Sequence, residues 1–169
     1  MSTLRSGPGR RRSPSNYARR LLYAGDARRF WRVLRSDQRG STLRALIDGP
    51  VVFATMNRRG LRPLVTKLPT QPSADVRQAR LVSEAVDAGL AMWPLAFTCL
   101  RRSVVLLREL DRRRMGAELT IGVRRGPEGL EAHAWVQVGD AVINDQPEVV
   151  QTYAVIPLGE ADSLYRKFT

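Results

Sequence analysis

The chain contains one cysteine, Cys99, and one histidine, His133. Asp145 follows the histidine by twelve positions. Together these are the residue types of an acyl-transfer triad: a sulfur nucleophile, an imidazole to move its proton, and a carboxylate to hold the ring. The sulfur needs help, because free cysteine is mostly thiol near neutral pH. A helix N-terminus supplies unpaired N–H groups and partial positive charge, and a nearby imidazole can complete a thiolate–imidazolium pair. Cys99 falls where a helix is expected to begin. His133 lies on a predicted strand, and Asp145 lies on the return strand of a hairpin.

Each residue also has a plainer account. A lone cysteine at a helix start is usually an inert small apolar residue, a lone histidine on a strand is usually packed or solvated, and an aspartate beside a turn is usually solvated. Trp135 suits a core position. Asn144 and Asp140 compete with Asp145 for the orienting role. With a turn at Gly139-Asp140, His133 would oppose a residue near 146. Contact with Asp145 therefore needs a bulge or a shifted register. The trio requires no cofactor, and one Cys with one His leaves too few ligands for zinc.

The elements that must position these residues change texture along the chain. Residues 1–15 are rich in Arg, Ser, Pro and Gly without apolar periodicity, and predict a disordered basic tail. Residues 17–35 carry a weak helical pattern. Ser41 is expected to cap a helix through Leu43, Leu46 and Ile47 that Gly49-Pro50 breaks or kinks. Val51–Met56 and Leu61–Leu68 continue as helical segments. Ser73 is the expected N-cap of a helix with Val76, Ala79, Val82, Val86 and Leu90 on one face. A second helix from Cys99 turns Leu100, Val104, Leu107 and Leu110 inward, with Gly116 as its expected C-cap.

Period two then takes over. Leu119, Ile121 and Val123 share one face of a strand. After a turn at Gly126–Gly129, Ala132, Ala134, Val136 and Val138 alternate with His133 and Trp135. The return strand is expected over Ala141–Asp145, and another over Tyr153–Leu158. Helices followed by antiparallel strands make an α+β domain over residues 16–169, helical to about 115 and sheet over about 116–158.

The net charge of +12 is carried by residues 1–62, and the remainder is neutral. Twenty-six of the 28 basic residues are arginines. That skew, without aromatic interleaving or a recognition motif, does not point to nucleic acid. The first 20 residues lack the apolar core of a signal peptide, and the run from Ala88 to Phe97 is too short to span a bilayer. A single thiol suits a reducing, cytoplasmic setting.

The segment Thr98–Asp145 resembles the transglutaminase-like core of lasso-peptide leader peptidases. The motifs are Cys99-Leu100-Arg101, Ala117–Arg124 (A-x-L-x-I-G-V-R), Ala132–Val136 (A-H-A-W-V) and Asp145 after a short hairpin. The resemblance implies a papain-like fold of the transglutaminase type. It implies Cys99 as nucleophile, His133 as general base and acid, and Asp145 as orienter. The substrate it implies is a ribosomal precursor peptide, cut at the leader–core junction before a cyclase closes the macrolactam. Residues 1–70 do not read as the leader-recognition domain fused ahead of the peptidase in some members. A separate leader-binding protein is therefore an expected partner. Two alternatives remain: another acyl-transfer enzyme with the same triad, or a non-catalytic basic binding protein.

Overall fold

The computed structural model describes residues 28, 30–65, 75–95, 97–126 and 129–157. The expected tail over 1–15, Ser73 and the helical pattern before residue 28 lie outside them. After helical residues at 28 and 30–34 come α1 (Arg39–Arg59), α2 (Val76–Leu90) and α3 (Cys99–Arg112), with a 3-10 turn at Arg62–Leu64 between α1 and α2. The sheet follows as β1 (Ala117–Gly126), β2 (Gly129–Val138), β3 (Ala141–Val142) and β4 (Ala154–Ile156), with a short helix α4 (Pro147–Val150) before β4. The sheet order is β3-β2-β1-β4, and every pairing is antiparallel. The α+β order expected from the sequence is the one observed.

The expected break at Gly49-Pro50 does not occur. α1 runs 21 residues with Pro50 inside it. Proline removes the N–H that would bond the carbonyl four residues earlier. That carbonyl belongs to Leu46, and Trp93 Nε1 donates to it at 3.0 Å. A side chain from beyond α2 thus satisfies the orphan, and the helix continues. Ser41 is not a cap. It is buried inside α1, where its Oγ donates to Glu109 on α3 at 2.6 Å. The segment after α1 makes the 3-10 turn instead of the expected helix from Leu61.

α2 is capped by Asp75 and not by the expected Ser73: the helix starts at Val76, and the Asp75 carboxylate accepts from the Arg77 N–H at 2.8 Å. Its expected apolar face is buried, with Ala79, Val82, Val86 and Leu90 in the core. α1 and α2 approach closely at Gly89, where a Cβ would stand 2.5 Å from the Thr42 carbonyl oxygen. α3 is central and packs on α1, α2, β1 and β2. Val104, Val105, Leu106, Leu107 and Leu110 are all at most 3% exposed. Burying a valine or leucine contributes about 1.5–3 kcal/mol, so this helix carries much of the hydrophobic stabilisation.

α3 ends one turn before the expected glycine cap. Arg114 takes the left-handed conformation at φ 56°. Its N–H bonds the Asp111 carbonyl at 2.8 Å, and the Met115 N–H bonds the Leu110 carbonyl at 3.0 Å. This is a Schellman motif closed by an arginine where glycine is usual. Met115 and Leu110 both lie in the core and supply the apolar contact that accompanies the motif.

Leu119, Ile121, Ala134, Val136 and Val138 face the helices, and alternation sends Gly122, His133 and Trp135 to the other side. There Trp135, Val142 and Val150 form a second small cluster, with Tyr153 against it.

Candidate active site

The register of β2 with β3 pairs Val138 with Ala141 and Gln137 with Val142. Extended, it would set His133 opposite residue 146, as the sequence predicts. Neither a bulge nor a shifted register brings Asp145 to the ring. The expected return strand stops at Val142. Ile143 still donates its N–H to the Val136 carbonyl at 2.9 Å, and then the chain leaves the ladder.

Asn144 and Ser103 fill the gap that this departure leaves. In an undisturbed antiparallel pair the Val136 N–H would donate to the Ile143 carbonyl. Here it donates to Asn144 Oδ1 at 2.8 Å. At the next hydrogen-bonded pair the Ala134 carbonyl would accept from the residue 145 N–H. Here it accepts from Ser103 Oγ at 3.0 Å. Asn144 Nδ2 donates to the same Ser103 oxygen at 2.9 Å. Asn144, weighed from the sequence as a rival orienter, therefore bonds the strand edge and the helix rather than the imidazole. Asp140 is exposed at the hairpin turn.

Released from the sheet, Asp145 makes a short hydrogen bond through Oδ2 to His133 Nε2. Its Oδ1 accepts from the Gln146 N–H at 2.8 Å. The His133 and Asp145 side chains are 20% and 23% exposed, sheltered but reachable. His133 Nδ1 has no protein hydrogen-bond partner among the described residues. The ring lies 5.3 Å centroid to centroid from Tyr153 and 6.1 Å from Trp135. The tight approach of these aromatics requires Gly122, directly opposite His133 on β1. A Cβ on Gly122 would stand 2.7 Å from Tyr153 Cβ and 3.0 Å from the Trp135 ring.

Cys99 is the first residue of α3, as expected, and is a half-buried free thiol packed against the core. Thr98 occupies the N-cap position, but its side chain makes no capping bond. The first bond into α3 is Arg102 N–H to the Thr98 carbonyl at 3.0 Å. The N–H groups of Cys99, Leu100 and Arg101 thus have no protein partner among the described residues, and they carry the positive end of the helix dipole. Ser103 lies four residues after Cys99, one turn along the same face, about 6 Å further down the axis. Because Ser103 bonds the carbonyl of the residue after His133, the thiol-bearing turn of α3 is docked to the β2 edge that carries the imidazole.

Such an arrangement can do nucleophilic chemistry on an acyl group. It offers a sulfur at a helix start with free amides beside it and, on β2, a ring whose Nε2 is held by a carboxylate. His133 and Asp145 are brought into contact, whereas Cys99 and His133 are not hydrogen-bonded. Among the described residues no three His, Cys, Asp or Glu side chains gather as a metal site. No described helix is long and apolar enough to cross a membrane. Sequence reasoning missed Ser103 altogether. The available signal was a small polar residue on the inward face of α3, at helical spacing from the cysteine.

A family model described as the transglutaminase-like superfamily matches residues 43–157. The microcin J25-processing protein McjB of Escherichia coli is 45% identical over 58 residues. That match covers 34% of this chain and 27% of McjB, so the similarity spans about a quarter of the relative's length. No solved structure matches the chain.

Proposed function

From the premise that the chain belongs to the transglutaminase-like superfamily, we propose that it is a cysteine peptidase that removes the leader from a ribosomal lasso-peptide precursor. The observation that carries this reading is the bond between His133 Nε2 and Asp145, formed where β3 leaves the edge of β2. A carboxylate on Nε2 favours the tautomer with its proton there and leaves the Nδ1 lone pair free. Nδ1 takes the Cys99 proton. The thiolate attacks the carbonyl at the leader–core junction, and the uncapped amides at the start of α3 receive the developing oxyanion. The imidazolium then protonates the leaving amine, which becomes the core's N-terminus. Water, activated by the same ring, hydrolyses the thioester and frees the leader as a carboxylate.

The choice of substrate is supported by the likeness to a microcin-processing protein and by the motifs shared with leader peptidases. In this reading residues 16–169 act as one peptidase domain behind a basic tail over 1–15, in the cytoplasm. A separate leader-recognition protein presents the precursor, and a cyclase uses the freed amine. The test is purified protein, candidate precursor and leader-binding partner in one tube, read by mass spectrometry. Cys99→Ala should abolish cleavage and His133→Ala nearly so. Asp145→Ala should slow it by on the order of 10²–10⁴. Cleavage by Cys99→Ala would end the peptidase reading. An amide in place of the free carboxylate on the released leader would turn it into an acyl transferase.

A further inference from the structure

Three residues adjacent to the triad in sequence or helical turn meet at one buried point. Ser103 is one turn from Cys99, Ala134 follows His133, and Asn144 precedes Asp145. We propose that Ser103 and Asn144 form a directional hydrogen-bond relay whose function is to set the relative positions of Cys99, His133 and Asp145, making both of them positioning residues of the active site. The inference rests on the peptidase reading for its consequence in rate. Its geometry stands on the polar bonds alone.

The relay runs in one direction. The Val136 N–H donates to Asn144 Oδ1, Asn144 Nδ2 donates to Ser103 Oγ, and the Ser103 hydroxyl donates to the Ala134 carbonyl. Each of the three links has its own donor and acceptor, and Ser103 is wholly buried. The relay replaces two rungs that β3 would have supplied. A backbone strand in its place would carry residue 145 along the ladder, with His133 opposite residue 146. The amide side chain of Asn144 instead occupies the position of a backbone carbonyl, so the main chain can turn away and Asp145 can reach the ring. Ser103 occupies the position of a backbone N–H, so α3 abuts the strand edge where a strand would otherwise lie. One pair of side chains thus performs two tasks: it frees the carboxylate from the sheet, and it docks the thiol-bearing helix at the place the sheet vacates. The bonds are neutral and of ordinary length, and their members have few rotatable bonds, which limits how far the joined elements can shift. Misplacing reacting groups by about 1 Å costs on the order of 10²-fold in rate.

The single thiol and single imidazole make the test unambiguous. The intact chain is labelled with ¹⁵N, and the His133 ring is followed by NMR while Cys99 is alkylated by iodoacetamide. Ser103→Ala, Asn144→Ala and the isosteric Asn144→Asp are compared with the parent. Asn144→Asp keeps the acceptor for Val136 but has no N–H to give Ser103. In each variant the His133 Nε2–H should exchange with water at least about tenfold faster, because its bond to Asp145 is no longer held. Cys99 alkylation at mildly acidic pH should slow about tenfold or more, and kcat for precursor cleavage should fall while KM holds. A merely structural role would lower the melting temperature and leave the ring signal and the alkylation rate where they were. That result in folded Ser103→Ala and Asn144→Ala overturns the inference. Asn144→Asp asks the same question with no change in volume if an alanine variant does not fold. Failure here is distinct from failure of the peptidase reading, which would show as cleavage by Cys99→Ala and would leave the ring measurements intact.

Discussion

The two ends of α3 are built on opposite principles. At its C-terminal end a buried carboxylate gathers the polar groups around it. Glu109, 1% exposed, accepts from Ser41 at 2.6 Å and pairs with Arg113 at 3.1 Å, Arg112 at 3.4 Å and Arg44 at 3.5 Å. Arg112 also pairs with Asp48, and the Schellman motif closes the last turn. At its N-terminal end the cap position holds a threonine that does not cap, three amides lack protein partners among the described residues, and the thiol is half buried. Satisfied groups stabilise the fold, whereas unsatisfied ones remain available to a reacting carbonyl. The helix therefore concentrates stability at one end and chemical opportunity at the other, with the Ser103 relay between them.

Substitutions at the C-terminal end should change stability and leave thiol chemistry alone. The largest expected effect is Glu109→Ala. Removing one member of a buried ionic cluster leaves uncompensated charge and typically costs about 3–5 kcal/mol. Urea denaturation should show that loss, while the folded fraction keeps the parent rate of Cys99 alkylation. A loss under about 1 kcal/mol would remove Glu109 from its role as the joint between α3 and α1, where it meets Ser41 and Arg44.

Gly122→Ala tests the other side of the comparison, because it touches the ring's surroundings and not the joint. Its Cβ would press on Tyr153 and Trp135, and overpacking of this kind costs about 1–3 kcal/mol. Displacing the aromatics should shift the His133 ring resonances and reduce cleavage. Unchanged ring resonances would show that the aromatic cover does not hold the imidazole.

Asp111, near the joint, gives the comparison a pH dependence. Burial pushes its carboxyl up from 3.8 to about 6, with Arg108 opposing. The folded state therefore binds the proton more tightly than the unfolded state. Stability falls as pH rises from about 4 to about 6, and the penalty is fully present above that window. Discounted for partial exposure, Asp111→Asn should gain about 1 kcal/mol at neutral pH and almost nothing near pH 4. An equal gain at both values would rule out this titration as the cause.

The smallest expected energy belongs to Thr98→Asp. A capping carboxylate should add about 0.5–1 kcal/mol of stability. It should also slow Cys99 alkylation, by occupying a free amide and placing negative charge beside the thiolate. A stabler protein with undiminished reactivity would mean that the uncapped start of α3 serves no chemical purpose.

Local pattern was enough for several elements. The period-two alternation of β2 put Ala132, Ala134, Val136 and Val138 on one face and His133 with Trp135 on the other; the structure buries Ala134, Val136 and Val138 against the helices and leaves Ala132 exposed. The start of α3 at Cys99 and the buried face of α2 were equally legible, because both follow from residue spacing within one element. Positions that depend on another element were not. Pro50 reads as a breaker until Trp93 supplies the missing donor to Leu46. Ser41 reads as a cap until Glu109 arrives from α3. Gly116 reads as the stop, but packing of Leu110 and Met115 lets Arg114 take the left-handed turn first.

The candidate site divides in the same way. Residue types alone singled out Cys99 and His133, since one sulfur and one imidazole leave few combinations; the hairpin left Asp145, Asn144 and Asp140 competing for the ring, and the family resemblance favoured Asp145. Which carboxylate or amide meets the imidazole was a tertiary decision. Asn144 and Asp145 are neighbours with nearly the same reach, and their roles separate only because the helix that carries Cys99 offers a buried hydroxyl to the first and the strand edge leaves the ring to the second. Hydrophobic periodicity records which face is buried. It does not record which distant polar atom waits there, because a hydrogen bond depends on ångström-scale placement that only the packed chain supplies.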